Sequence, residues 1–210
     1  MVKQMRSFET PPLYWTVIRF HTWDMRLVAT DRGVCWAGLQ DDSNGEWTAW
    51  TAKHFPRSPL IQADARLKPY ATQLVEYFQG KRSIFTIPLD LRGTPFQLSV
   101  WNALRDIPFS ATRSYSEIAQ RIGRPSAVRA VGAAIGANPV LILVPCHRVI
   151  GKDGSLTGFR AGLDLKRRLL QLEWEHSSHC GYVGTNRQNT RNSSFMNEAL
   201  QTSSKSRFYW

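Results

Sequence analysis

Cysteine is scarce in this chain, and that scarcity sets the first limits. Three thiols in 210 residues, Cys35, Cys146 and Cys180, are too few for a disulfide framework. None is spaced as C-x-x-C, so neither a zinc site nor a dithiol redox pair is indicated. Long apolar runs are also missing. No stretch approaches the roughly 18 to 20 residues needed to span a bilayer, so no membrane association is expected. Residues 1–10 carry charges but no apolar segment of the signal-peptide kind, and the chain reads as cytoplasmic. Acidic residues are few, 16 against 27 Lys plus Arg, leaving a formal charge of +11. Such a surplus suits a polyanionic partner such as nucleic acid, although a generally basic soluble protein would carry it too. An odd number of thiols leaves room for a reactive one without demonstrating it. No internal repeat is present.

What is there reads as an α+β protein: a small mixed α/β N-terminal domain, residues 1–92, then a helical, winged helix-turn-helix-like C-terminal domain, residues 93–176. The β-formers Leu13 to Ile18 and the run Val34 to Leu39 after Asp31-Arg32-Gly33 predict strands. Asp41 to Gly45 reads as a loop. A helix is expected over residues 60–78, marked by Leu67, Leu74, Val75 and Phe78 and ended by Gly80. Residues 83–89 read as a strand, and Asp90 to Gly93 as a link. Beyond it Thr94-Pro95-Phe96-Gln97 and Ser114-Tyr115-Ser116-Glu117 each spell a capping box before a helix. A third helix is expected to begin near Pro125 or Ser126 and to stop at Gly136. Three short helices with tight turns fit a helix-turn-helix. The run Val140 to Val144 predicts a buried strand, and residues 163–174 a final helix. The tail, 177–210, has the composition of a disordered segment.

The third helix is unusually bare: Ala127, Ala130, Gly132, Ala133 and Ala134 surround a single Arg129. Small side chains permit close approach, either of a neighbouring helix or of a nucleic-acid groove with Arg129 as its probe. The apolar run after it ends at Pro145-Cys146-His147-Arg148. A thiol acts as a nucleophile only as thiolate and needs a helper. Adjacent residues in an extended chain point apart, so His147 can take the proton only if the chain turns or a water bridges. A carboxylate should then orient the imidazole, and Glu173 and Glu117 are the candidates. Residue reasoning alone leaves three classes standing: an alkyl acceptor, a DNA-binding regulator with an inert thiol, and a cysteine hydrolase.

The runs Arg129-Ala130-Val131-Gly132, Asn138-Pro139 and Val144-Pro145-Cys146-His147-Arg148-Val149-Ile150-Gly151, together with Thr94 to Gln97, Ser114-Tyr115 and Leu169 to Glu173, resemble the methylated-DNA–protein-cysteine methyltransferases, the O-6-alkylguanine-DNA alkyltransferases. The resemblance is close over roughly residues 94–174, and the N-terminal part is similar to the family's variable domain. It implies DNA repair by irreversible, single-turnover transfer of an alkyl group from O-6-alkylguanine, and from O-4-alkylthymine, in duplex DNA to Cys146 after base flipping. It also implies a monomer and no cofactor. His147 would be the base through a water, Glu173 the orienting carboxylate, and Asn138 the support of the active-site turn. Tyr115 would hydrogen-bond the flipped guanine. Arg129 would fill the space left by the base, with Ala127, Ala130 and Gly132 on the DNA-facing helix. Val149, Phe159 and Arg160 would form the base pocket. Where the family commonly shows Tyr-x-Gly-Gly this chain has Phe159-Arg160-Ala161-Gly162, which loses a hydroxyl and adds a methyl. Activity is expected to survive that departure. Cys35, Cys180, His21, His54, His176 and His179 receive no role and are not expected to form the metal site that some relatives carry.

Overall fold

The computed structural model describes residues 10–20, 23–39 and 45–177. The predicted tail beyond Ser177, His21, and the loop before Gly45 lie outside the described residues. Three antiparallel strands open the chain: β1 (Leu13–Phe20), β2 (Trp23–Thr30) and β3 (Gly33–Leu39). A short β4 (Leu60–Gln62) adds parallel to β1, giving the order β3-β2-β1-β4. Both faces of this sheet are covered where β2 and β3 pair, which is why β3 and Leu27-Val28-Ala29 of β2 are continuous apolar runs, while the start of β2 alternates with Asp24 and Arg26. One face packs Met25, Leu27 and Ala37 against α2 (Asp64–Phe78), whose Leu67, Leu74, Tyr77 and Phe78 are buried. On the other face Leu13, Val28, Cys35 and Trp36 are joined by Trp47 and Trp50 of α1 (Glu46–His54).

Two expectations for this half need correction. Residues 60–62 are strand, not helix, because Leu13 N–H donates to the Pro59 carbonyl and Ala63 N–H to that of Trp15, so the chain stays paired with β1 until Ala63. The strand expected over residues 83–89 is reduced to one bridge, Val34 to Leu89. Pro88 has no N–H to give, and the Thr86 N–H is taken by the Gln73 side chain at 2.9 Å. Gly33, at φ +146°, is where this segment crosses the sheet. A side chain there would collide with the Pro88 carbonyl.

The C-terminal half follows its capping signals. Thr94 caps α3 (Pro95–Arg105) and Ser114 caps α4 (Tyr115–Arg121), each with a complete reciprocal box. α5 (Val128–Gly136) starts two residues later than expected, because Pro125 and Ser126 lie in a turn closed by Ala127 N–H to the Arg124 carbonyl. It packs on α3, where the Trp101 indole donates to the Ala134 carbonyl at 2.8 Å. A two-stranded parallel ladder joins β5 (Arg113–Ser114) to β6 (Val149–Ile150), and α6 (Leu163–Ser177) closes the fold.

Residues 140–144 are the largest departure. All five are buried, yet they form a tight turn rather than a strand: Val144 N–H donates back to the Val140 carbonyl, and Ile142 takes φ +72°, a rare conformation for a β-branched residue. The turn is pinned to the sheet, since Ala37 N–H donates to the Pro139 carbonyl and Leu141 N–H to that of Ala37, both at 2.9 Å. The edge of the N-terminal sheet thus fixes the segment that leads into Pro145-Cys146-His147-Arg148.

Candidate active site

Cys146 begins a single 3-10 turn, Cys146–Arg148, entered through Pro145. The chain therefore turns at the place where an extended run would have sent Cys146 and His147 to opposite sides. Asn138 supports this turn from within. Its amide nitrogen donates to the Val144 carbonyl at 2.9 Å and to Cys146 Sγ at 3.1 Å, while its oxygen accepts from Val140 N–H at 2.9 Å. One buried amide supplies the hydrogen bonds that a partner strand would otherwise have given residues 140–144. Burial pushes the Cys146 thiol up, and the Asn138 donor and the cations of Lys166 and Arg160 pull it back.

His147 and Glu173 are wholly buried, with His147 Nε2 at 2.8 Å from Glu173 Oε1. Burial holds the imidazole below its ordinary value despite the pull of the carboxylate, so it is neutral at physiological pH. The other ring nitrogen, Nδ1, is buried and meets no hydrogen-bond partner among the described residues. Glu173 collects donors from three segments outside its own helix: the Cys146–Arg148 turn, the loop at Ser110 and α2. Arg148 contributes Nε at 3.0 and 3.1 Å and Nη2 at 2.8 Å, Ser110 its N–H at 3.0 Å, and Tyr77 of α2 its hydroxyl at 2.7 Å. Burial alone would raise this carboxyl, but Arg148 and His147 outweigh it and hold Glu173 well below the usual carboxylate range. Arg148 is fixed in turn by the Ile107 carbonyl at 2.6 Å. Glu117, the other sequence candidate, lies elsewhere: its carboxylate accepts from Ser114 N–H at 2.7 Å in the α4 capping box.

Lys166 was not singled out by sequence reasoning, nor was Tyr77. Its ammonium is buried beside the turn, donating to the Val149 carbonyl and, at 2.7 Å, to that of Thr157. Burial lowers it to about 8. The signal was present in α6, where Lys166 and Glu173 are seven residues apart on the face shared by Leu169 and Leu170; charges at buried helical positions mark a site. Tyr115, the first residue of α4, donates to the Thr157 carbonyl at 3.0 Å, which brings the α4 start and the 157–162 loop together. Val149 is buried; Phe159 and Arg160 are half-buried in or beside that loop. The Arg160 guanidinium reaches Glu46 of α1 at 3.0 Å and lies over the Trp36 ring. Both partners come from the N-terminal domain.

α5 presents Arg129, Ala130, Ala133 and Gly136 to solvent, and Arg129 has no polar partner among the described residues. Ala127 and Gly132 are half-buried, with Gly132 turned toward the Tyr115 ring. Among the described residues no group of three or more His, Cys, Asp or Glu side chains is placed to hold a metal ion. Cys35 is buried in the sheet, its thiol pushed up to about 12 by burial first and Asp90 second.

Comparison with known proteins identifies the family. Residues 95–175 match the DNA-binding domain of 6-O-methylguanine DNA methyltransferase and residues 13–91 its ribonuclease-like domain. An inducible methylated-DNA–protein-cysteine methyltransferase of Bacillus subtilis is 52% identical over 168 residues, 80% of this chain and 94% of its own length. The crystal structure of Mycobacterium tuberculosis OGT in complex with DNA superposes with a TM-score of 0.68 at 38% identity, over 78% of this chain and 94% of that one. The enzyme from the archaeon Pyrococcus kodakaraensis, at 21% identity and a TM-score of 0.57 over 77% of this chain and 98% of its own, shares the fold. With two family domains that between them account for most of its length, and a Bacillus relative identical at half of the aligned positions, this chain belongs to the methylated-DNA–protein-cysteine methyltransferases.

Proposed function

We propose that the protein repairs duplex DNA by taking an alkyl group from O-6-alkylguanine, and from O-4-alkylthymine, onto Cys146, once per molecule and as a monomer. The observation that carries this reading is the hydrogen-bonded chain around the Cys146–Arg148 turn: Asn138 on the sulfur at 3.1 Å, and Glu173 on His147 at 2.8 Å. The thiol proton passes to His147 through a bridging water. Sulfur then forms a bond to the alkyl carbon as the carbon–oxygen bond to guanine breaks; the departing base, hydrogen-bonded by Tyr115, takes up a proton from solvent while His147 returns the thiol proton to solvent. A thioether has no easy leaving group, so the protein is consumed.

The target carbon lies inside the stacked duplex, so the nucleotide must be rotated out, which costs a few kcal/mol. The exposed, unpartnered Arg129 on a surface of Ala and Gly suits insertion from the shallow minor groove, where little sequence is read. The family relationship and the DNA-bound relative from M. tuberculosis support DNA binding as such.

Duplex DNA labelled in the methyl on guanine O-6 tests the assignment. Label is expected on the peptide containing Cys146, at one equivalent per protein. Full transfer to a Cys146→Ala variant would refute it. Arg129→Ala is expected to slow repair of duplex more than attack on the free modified base, and equal losses would remove Arg129 from that role.

A further inference from the structure

The hydroxyl of Tyr77 lies 2.7 Å from Glu173 Oε1 and 3.4 Å from His147 Nε2. It belongs to α2, in the N-terminal domain, and is wholly buried. We propose that Tyr77 is a positioning residue for the transfer: its hydroxyl sets the basicity of the imidazole through Glu173 and, as a second and longer acceptor beside that carboxylate, favours the His147 tautomer that carries hydrogen on Nε2. The proposal rests on the reading of Cys146 as acceptor and His147 as its base.

An ionised carboxylate only accepts hydrogen bonds, so the short contact to Glu173 commits the single hydroxyl hydrogen of Tyr77. What the phenol oxygen then offers His147 is a lone pair. Nε2 therefore faces two acceptors, Glu173 Oε1 at 2.8 Å and the Tyr77 oxygen at 3.4 Å, and it must carry the hydrogen. The lone pair is left on Nδ1, the buried nitrogen with no partner among the described residues. That is the atom able to receive a proton from the thiol. The phenol stays protonated throughout, since burial and then Glu173 push it well above its ordinary value.

A second consequence concerns basicity. Oε1 is shared among Tyr77, His147 and Arg148, so each donor dilutes what the carboxylate offers the others. The charged groups around the imidazole are Glu173 and Lys166 from α6 and Arg148 from its own turn, with the neutral thiol of Cys146 next to it in the chain. Tyr77 is the neutral donor from the facing domain. Its removal leaves Oε1 freer for His147, stabilises the imidazolium and raises the pH at which the base becomes available. The ring itself is held by Phe78, Phe85 and Phe109, at centroid distances of 5.7, 5.3 and 6.2 Å, so phenylalanine preserves its packing.

The test compares wild type with Tyr77→Phe in single-turnover methyl transfer from O-6-methylguanine duplex, from about pH 5.5 to 9. The acid limb of the profile is expected to move up by about half to one unit, with a loss of about three- to tenfold below it and an unchanged alkaline plateau. Superimposable profiles, or a loss equal at every pH as a packing defect would give, overturn the proposal. If the variant does not fold, nitrogen-15 NMR of His147 in the wild-type protein decides: hydrogen on Nε2 is expected, and hydrogen on Nδ1 overturns it. A wild-type protein that takes no label at Cys146 would instead sink the reading of the acceptor, while the titration of the His147 nitrogens by the same NMR, compared between wild type and Tyr77→Phe, would still judge Tyr77.

Discussion

Asp90 and Glu173 are both buried carboxylates that gather arginines, but their surroundings differ. Asp90, at the junction of the two domains, accepts from Thr30 at 2.9 Å, from Arg32 at 2.8 Å and from Arg92 at 3.2 Å. Both of its arginines reach solvent, with side chains 66% and 40% exposed. Glu173 sits among Arg148, His147, Tyr77 and the Ser110 N–H, and its arginine is 7% exposed. Water can therefore replace a lost partner at Asp90 and cannot at Glu173. A carboxylate enclosed in this way needs its donors built in, and these same donors orient His147. The arrangement at Asp90 ties the link at residues 90–93 to the β2–β3 turn; the one at Glu173 ties the two domains together and holds a base in position.

The largest effect expected from this difference is that of Arg148→Ala. It leaves Glu173 buried without its principal counter-charge, a change that costs about 3 to 5 kcal/mol when one partner of a buried pair is removed. For a chain of this size that corresponds to a fall in melting temperature on the order of 10 °C. Thermal unfolding checks it. A fall of only a few degrees would mean that Glu173 is far better solvated than its burial implies, and the contrast with Asp90 would dissolve.

Acid sharpens the comparison, because only the Glu173 network contains a histidine. Both carboxyls are held below their ordinary values in the folded protein, so their contribution is intact above the unfolded values near 4 and is lost as pH falls through the folded ones. His147 adds an earlier loss. Its folded value lies below 6.5, so the unfolded chain takes up the proton first. The contribution of His147 is intact well above pH 6.5 and declines as pH falls from there through the folded value. Urea midpoints measured downward from neutral pH are expected to fall before either carboxylate titrates, and His147→Gln to flatten that first slope. A flat profile between pH 6.5 and 4.5 in the wild type would show that the imidazole is as easily protonated when folded as when unfolded.

The same contrast accounts for how much of the protein could be read in its sequence. Local signals were legible: both capping boxes, the strands β1 and β3, and the thiol and imidazole of the turn, whereas Asn138 entered only through the family resemblance. Residues 140–144 were legible as buried but not as a turn, because the decisive hydrogen bonds come from the side chain of Asn138 and from Ala37, about a hundred positions earlier. α1 escaped notice because its apolar residues, Trp47 and Trp50, are few and its buried face is completed by β1 and β3. Tyr77 reads as one more apolar position on α2, and nothing near it in sequence announces Glu173, 96 residues away. Asp90 was read only as part of a link. Long-range polar contacts leave no local trace, and both carboxylate networks are built from them.

The smallest effect expected is that of Asp90→Asn. The change keeps the size of the side chain and its bond to Thr30, and it removes the charge that draws Arg32 and Arg92. Ion pairs whose arginines reach solvent contribute about 0.2 to 1 kcal/mol each, so the loss should be about 1 kcal/mol, or a few degrees in melting temperature. Salt should narrow the gap between variant and wild type, since exposed charges are screened, and should leave the deficit of Arg148→Ala largely in place. Methyl transfer by Asp90→Asn is expected at the wild-type rate. A slower transfer at unchanged stability would place the domain junction at Asp90 in communication with the turn at Cys146, and the division between a tie and a tie that also positions a base would have to be redrawn.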